Sequence, residues 1–82
     1  MNKNVQTNNH LVGQYANAFK IGHNAFEFVI DFGQSCSKNE TFHTRIVSSP
    51  YYANVLLKIL RESVERYEQT FGAIPGGSGE NE

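Results

Sequence analysis

Acid and base catalysis needs two titratable groups that face one small bond, and the best placed pair here is Glu27 and Asp31, four residues apart in FEFVIDFG. On a strand they share a face but stand about 13 Å apart at roughly 3.3 Å per residue, too far to work together across one bond. Lys20 and Arg45, expected on the flanking strands, account for both carboxylates as cross-strand ion partners. Ser48, Ser49 and His43 are residue types suited to nucleophilic chemistry, yet Ser49 is better used as a helix cap and Ser48 as a strand end. Cys36, His23 and His43 are metal-ligand types, but no two stand at the close spacing that zinc sites use. The glycines of PGGSG follow a helical stretch instead of joining a strand to a helix, so they do not form a phosphate loop. No catalytic residue, no cofactor and no metal is expected.

The element that must position everything else is the stretch SPYYANVLLKILRESVERYEQTF, Ser49 to Phe71, which the sequence marks as a helix. Ser49 suits the N-cap, and Pro50 suits the first helical position, where its missing N–H costs nothing. Gly72 suits a left-handed stop, with Pro75 beyond it. At 100° per residue Ala53, Leu56, Leu57, Leu60, Val64, Tyr67 and Phe71 form one stripe, the expected core face. Tyr52, Val55 and Ile59 lie beside it, so the first half of the helix is apolar around roughly 200° of its circumference. One sheet cannot cover both flanks, and these three residues are the expected self-association site. Lys58, Arg61, Glu62, Glu65, Arg66 and Gln69 make a solvated face, with i,i+4 pairs worth about 0.2 to 0.5 kcal/mol each.

Upstream, three strands are predicted. Gln14 to Ile21 places Tyr15, Asn17, Phe19 and Ile21 on one side, and Phe26 to Phe32 places Phe26, Phe28, Ile30 and Phe32 on one side. A turn at Gly22 to Ala25 sets Ile21 opposite Phe26, Phe19 opposite Phe28, Tyr15 opposite Phe32 and Lys20 opposite Glu27. Gly33 to Glu40, GQSCSKNE, is read as a polar loop that exposes Cys36. The third strand, Thr41 to Ser48, puts Phe42, Thr44 and Ile46 on one side and His43, Arg45 and Val47 on the other. Pairing Ile30 with Ile46 also matches Asp31 with Arg45 and is preferred to the register that sets Asp31 by His43. The fold class is therefore α+β, a three-stranded antiparallel meander followed by one long C-terminal helix laid over its aromatic face, β-β-β-α.

The 82 residues divide into a flexible arm at 1–13, a single α+β domain at 14–74, in which Ile74 is a candidate to pack, and a flexible acidic tail at 75–82. A core of about 60 residues is marginal alone, and one cysteine allows no internal disulfide, which leaves self-association as the stabilising device. Seven basic and eight acidic residues give a net charge of −1, with no general attraction to nucleic acid or to an anionic membrane. No apolar run approaches a membrane span or a signal segment, so a cytoplasmic protein is expected.

The stretches YANAFKIGHNAFEFVIDFGQ and HTRIVSSPYYANVLLKILRESVERYEQTFGAI resemble the short bacterial and archaeal proteins of domain of unknown function 3467. The resemblance rests on Tyr15-Ala16-Asn17, Glu27 to Gly33, Arg45-Ile46-Val47, Ser49-Pro50 and Tyr67 to Gly72. It implies one domain of bacterial, cytosolic type and carries over no activity. The expected function is an uncharacterised homo-oligomeric interaction or structural module that is not an enzyme, with itself as partner, as a homodimer or higher form, and another protein as a further candidate. The alternative is single-stranded nucleic-acid binding on the outer sheet face through Lys20, His43 and Arg45, which calls for a basic groove with aromatic platforms.

Overall fold

The computed structural model describes residues 11–76. It contains strands β1 (Ala18–His23), β2 (Phe28–Cys36) and β3 (Asn39–Ser48) and helix α1 (Pro50–Phe71). The three strands form one antiparallel sheet in the order β1-β2-β3, so the β-β-β-α meander read from the sequence is the fold observed. The arm expected at 1–13 and the acidic tail at 75–82 lie largely outside the described residues. The described residues divide into two compact units: one takes in those up to Gly22 with Val29–Ile46, the other His23–Phe28 and those from Val47.

Helix α1 begins and ends where its caps dictate. Ser49 is extended, at φ −80° and ψ 161°, and its Oγ accepts from the Tyr52 N–H at 3.2 Å. Gly72 donates its N–H to the Glu68 carbonyl at 2.9 Å and takes φ 99°, ψ 172°, a conformation open essentially to glycine and more extended than the left-handed stop expected. A carboxylate oxygen of Glu68 then accepts from the Ile74 N–H at 3.1 Å. Ile74 remains exposed and lines an open hollow with Leu60, Val64 and Tyr67.

The turns are where the structure departs from expectation. The first turn is centred on Ala25 and Phe26, not on Gly22 to Ala25, because the Asn24 side chain organises it. Its Oδ1 accepts from the Phe26 N–H at 2.8 Å and the Glu27 N–H at 3.0 Å, and the Asn24 N–H donates to the Glu27 carbonyl at 3.1 Å. Phe26 therefore sits in the turn, 84% exposed, rather than opening the strand. The register moves by four residues with it. Phe19 meets Phe32 edge-on at 5.9 Å instead of Phe28, and Phe28 stacks on His23 at 5.3 Å. An even shift leaves each side chain on the face assigned to it.

The expected loop from Gly33 to Glu40 is in fact a hairpin with a two-residue turn, Ser37 and Lys38. Ser37 adopts φ 57°, and the polar residues on either side extend β2 and β3 beyond the apolar alternation. Cys36 is the last residue of β2 and is exposed with a free thiol. Asn17 clamps this extension: its Oδ1 accepts from the Ser35 N–H at 2.8 Å, while its own N–H donates to the Gly33 carbonyl at 2.9 Å.

Burial is sparse. Ala18 and Ile30 are the buried hydrophobic side chains of the described residues, and α1 has no buried residue. Leu57 is 50% exposed, Leu60 57% and Phe71 73%. The stripe expected to be a core face is thus open to solvent in the single chain. Periodicity reports that a helix has an apolar face; it does not report what covers that face.

Candidate functional site

The charged side of the sheet gathers the polar chemistry of the described residues. Asp31 on β2 and Arg45 on β3 form a two-pronged ion pair, Nε to Oδ1 at 2.8 Å and a terminal guanidinium nitrogen to Oδ2 at 2.9 Å. This is the pairing read from the sequence, and it fixes the register of the two strands at that level. It is also the one close ion pair among the described residues. The hydrogen bonds from Arg45 hold the Asp31 carboxyl below its ordinary range; partial desolvation opposes them, and the charges of Arg45 and Lys20 assist. The same bonds raise the Arg45 pKa above its usual value.

Lys20 reaches the same face from β1, and its Nζ lies 4.8 Å from the centre of the Phe42 ring. The ring can lie there because Gly33 has no side chain. A Cβ at Gly33 would collide with the Thr41 carbonyl oxygen and stand 2.7 Å from the Phe42 Cα and 2.9 Å from its ring. Phe42 and Arg45 thus share a face although they are three apart in the sequence, with His43 and Thr44 between them. Regular alternation forbids that, so β3 takes up one extra residue between them as a bulge. The two-residue turn requires the same bulge, because without it Asp31 would face Thr44. The sequence reading placed Phe42 with Thr44 and Ile46 on the side opposite Arg45, and the bulge corrects it. No residue type announces this step, since Phe42, His43 and Thr44 are all ordinary strand residues.

His43 is occupied by local partners. Its Nε2 lies 3.1 Å from the Tyr15 carbonyl oxygen and its Nδ1 2.6 Å from Thr44 Oγ1. The carbonyl of Tyr15 also accepts from the Gln34 side chain at 3.2 Å. Asp31, Phe42, His43, Thr44 and Arg45 line an open hollow of about 340 Å³. It is a shallow depression with a neutralised ion pair in it, not an enclosed pocket. Of the three residues expected to contact nucleic acid, Lys20 and Arg45 converge around Asp31, and each is already engaged. No group of three or more His, Cys, Asp or Glu side chains able to hold a metal exists among the described residues, and among them no helix is long and apolar enough to cross a membrane.

Replacing Asp31 by asparagine tests how the ion pair contributes. A carboxyl whose folded pKa is lowered adds stability above its unfolded pKa of about 4, and loses it as the pH falls through the folded value. Wild type is therefore expected to exceed Asp31→Asn in urea midpoint near about pH 7, and the two curves to converge near about pH 2. A gap of constant size across that range would show that the pair contributes nothing dependent on charge.

The second surface is α1. Tyr52 is 62% exposed and Ile59 57%, whereas Val55 between them is half-buried. Tyr51 meets Tyr52 edge-on at 4.9 Å, and Tyr67 meets Phe71 at 5.0 Å, so both ends of the helix carry paired aromatic rings. The expected self-association residues are thus part of a longer apolar surface that continues through Leu56, Leu60 and Phe71. Contiguous exposed apolar surface of this extent is uncommon on a single folded chain.

A family model described as a protein of unknown function, DUF3467, matches residues 2–75. No curated protein and no solved structure matches the chain.

Proposed function

From the premise that this chain belongs to the DUF3467 family, whose description names no activity, we propose that it is a small self-associating interaction module without catalytic activity. It works as a homodimer or higher oligomer. The observation that carries this reading is the 22-residue helix with no buried residue and exposed Tyr52, Leu56, Ile59 and Leu60 along it. Burying a leucine or isoleucine contributes about 1.5 to 3 kcal/mol relative to leaving it in water, so a surface of this extent favours association. The charged sheet face supports the absence of catalysis. Its carboxylate and guanidinium satisfy one another, and its histidine is held by a hydroxyl and a carbonyl.

Val55→Asp with Ile59→Glu tests the assigned flank. The double variant is expected to keep its far-ultraviolet circular dichroism and to run as a monomer in light scattering at concentrations where the parent protein is oligomeric. An oligomer of unchanged mass would remove Tyr52, Val55 and Ile59 from the interface.

A further inference from the structure

We infer that two copies exchange their helices, so that α1 of each chain covers the aromatic sheet face of the other. This rests on the self-association just proposed and specifies how it is built. The chain carries two apolar surfaces, each open to solvent. On the sheet, Phe19 is 62% exposed, Ile21 61% and Ile46 48%, around the buried Ile30. On the helix, Leu57, Leu60, Val64, Tyr67 and Phe71 recur at spacings of three and four and stand between 37% and 73% exposed.

From Leu57 to Phe71 the helix face runs about 21 Å at roughly 1.5 Å per residue, which fits within the roughly 30 Å length of β2. These eight side chains, at roughly 100 Å² each, offer about 800 Å² per chain, the area a standard stable interface takes from each partner.

Symmetry selects the second copy as occupant. Each chain offers one helix and needs one, so a two-fold exchange covers all four surfaces and closes without leaving a free end. Pairing helix with helix would cover Leu57 and Leu60 but leave Phe19, Ile21 and Ile46 bare. The connector points the same way. Strand-to-helix connections that return a helix to its own sheet commonly have two to six residues, and here Ser49 alone, in an extended conformation, separates β3 from α1. In the exchanged dimer the flank made by Tyr52, Val55 and Ile59 meets its counterpart across the two-fold axis and is a second part of the same interface.

The test uses full-length chains in which Cys36→Ser removes the native thiol. A tagged chain carrying Phe19→Cys is co-expressed with an untagged chain carrying Leu60→Cys, and the mixture is treated with a short bis-maleimide and sized under denaturing conditions. Both positions are more than half exposed, so cysteine is tolerated there; Ile46→Cys with Leu57→Cys is the second pair. The expected product is the tagged–untagged conjugate, at least fivefold above either homotypic one, with the native mass that of a dimer. A dimeric mass with Leu60-to-Leu60 positions as the main conjugate would overturn helix exchange and leave self-association standing. A monomeric mass across the concentration range would overturn both.

Discussion

Gly33→Ala will leave much of the protein unfolded. The added methyl group meets the Thr41 carbonyl oxygen and the Phe42 backbone, neither of which can rotate away as a side-chain tip would. Relieving that contact means separating β2 from β3 at the level where the ring of Phe42 lies over Gly33. The expected loss is on the order of 3 kcal/mol, at the upper end of overpacking costs and comparable to the whole stability of a core this small. Urea titration followed by circular dichroism measures it. Gly22→Ala serves as the matched control, since a Cβ there meets nothing within 4 Å and its midpoint should scarcely move. Equal midpoints for the two variants would refute the close approach of the strands at Gly33.

Leu60→Asp carries the second large effect, and its direction depends on assembly. Leu60 is 57% exposed in the single chain, where a surface substitution ordinarily changes stability by less than about 0.5 kcal/mol. In an assembly that covers the helix, each chain would lose about 2 kcal/mol of apolar burial. Two chains then weaken a dimer by roughly 1,000-fold in Kd. Sedimentation of the wild type and variant over a dilution series reads this directly. A variant that associates within threefold of wild type would show that Leu60 stays in water.

What could be read in advance was whatever the chain encodes locally. The helix was legible to the residue because Ser49, Pro50 and Gly72 are each chosen for a backbone requirement at one position. The Asp31 to Arg45 register was legible because one alignment of β2 with β3 satisfied both charge and apolar matching. The first turn was not, because Gly22 is the stronger turn residue in isolation and the deciding group is the Asn24 carboxamide, which bonds two backbone N–H groups beyond it. GQSCSKNE reads as a loop because strand ends that extend past the core lose the alternation that identifies strands. The Phe42 bulge was hidden for a related reason. The extra residue follows from combining the Ser37-Lys38 turn with the Asp31 to Arg45 register, and the Gly33 that makes room for the Phe42 ring is on the partner strand.

The strand order β1-β2-β3 repeats the order of the sequence, and both connections are turns centred on two residues. Contacts of that kind join residues close along the chain, so little chain-closure entropy stands between the unfolded chain and the sheet. Local nucleation can therefore complete the chain's secondary structure soon after synthesis. If the proposed helix exchange holds, the slow event is an encounter between molecules, and the rate of reaching the finished state is set by protein concentration.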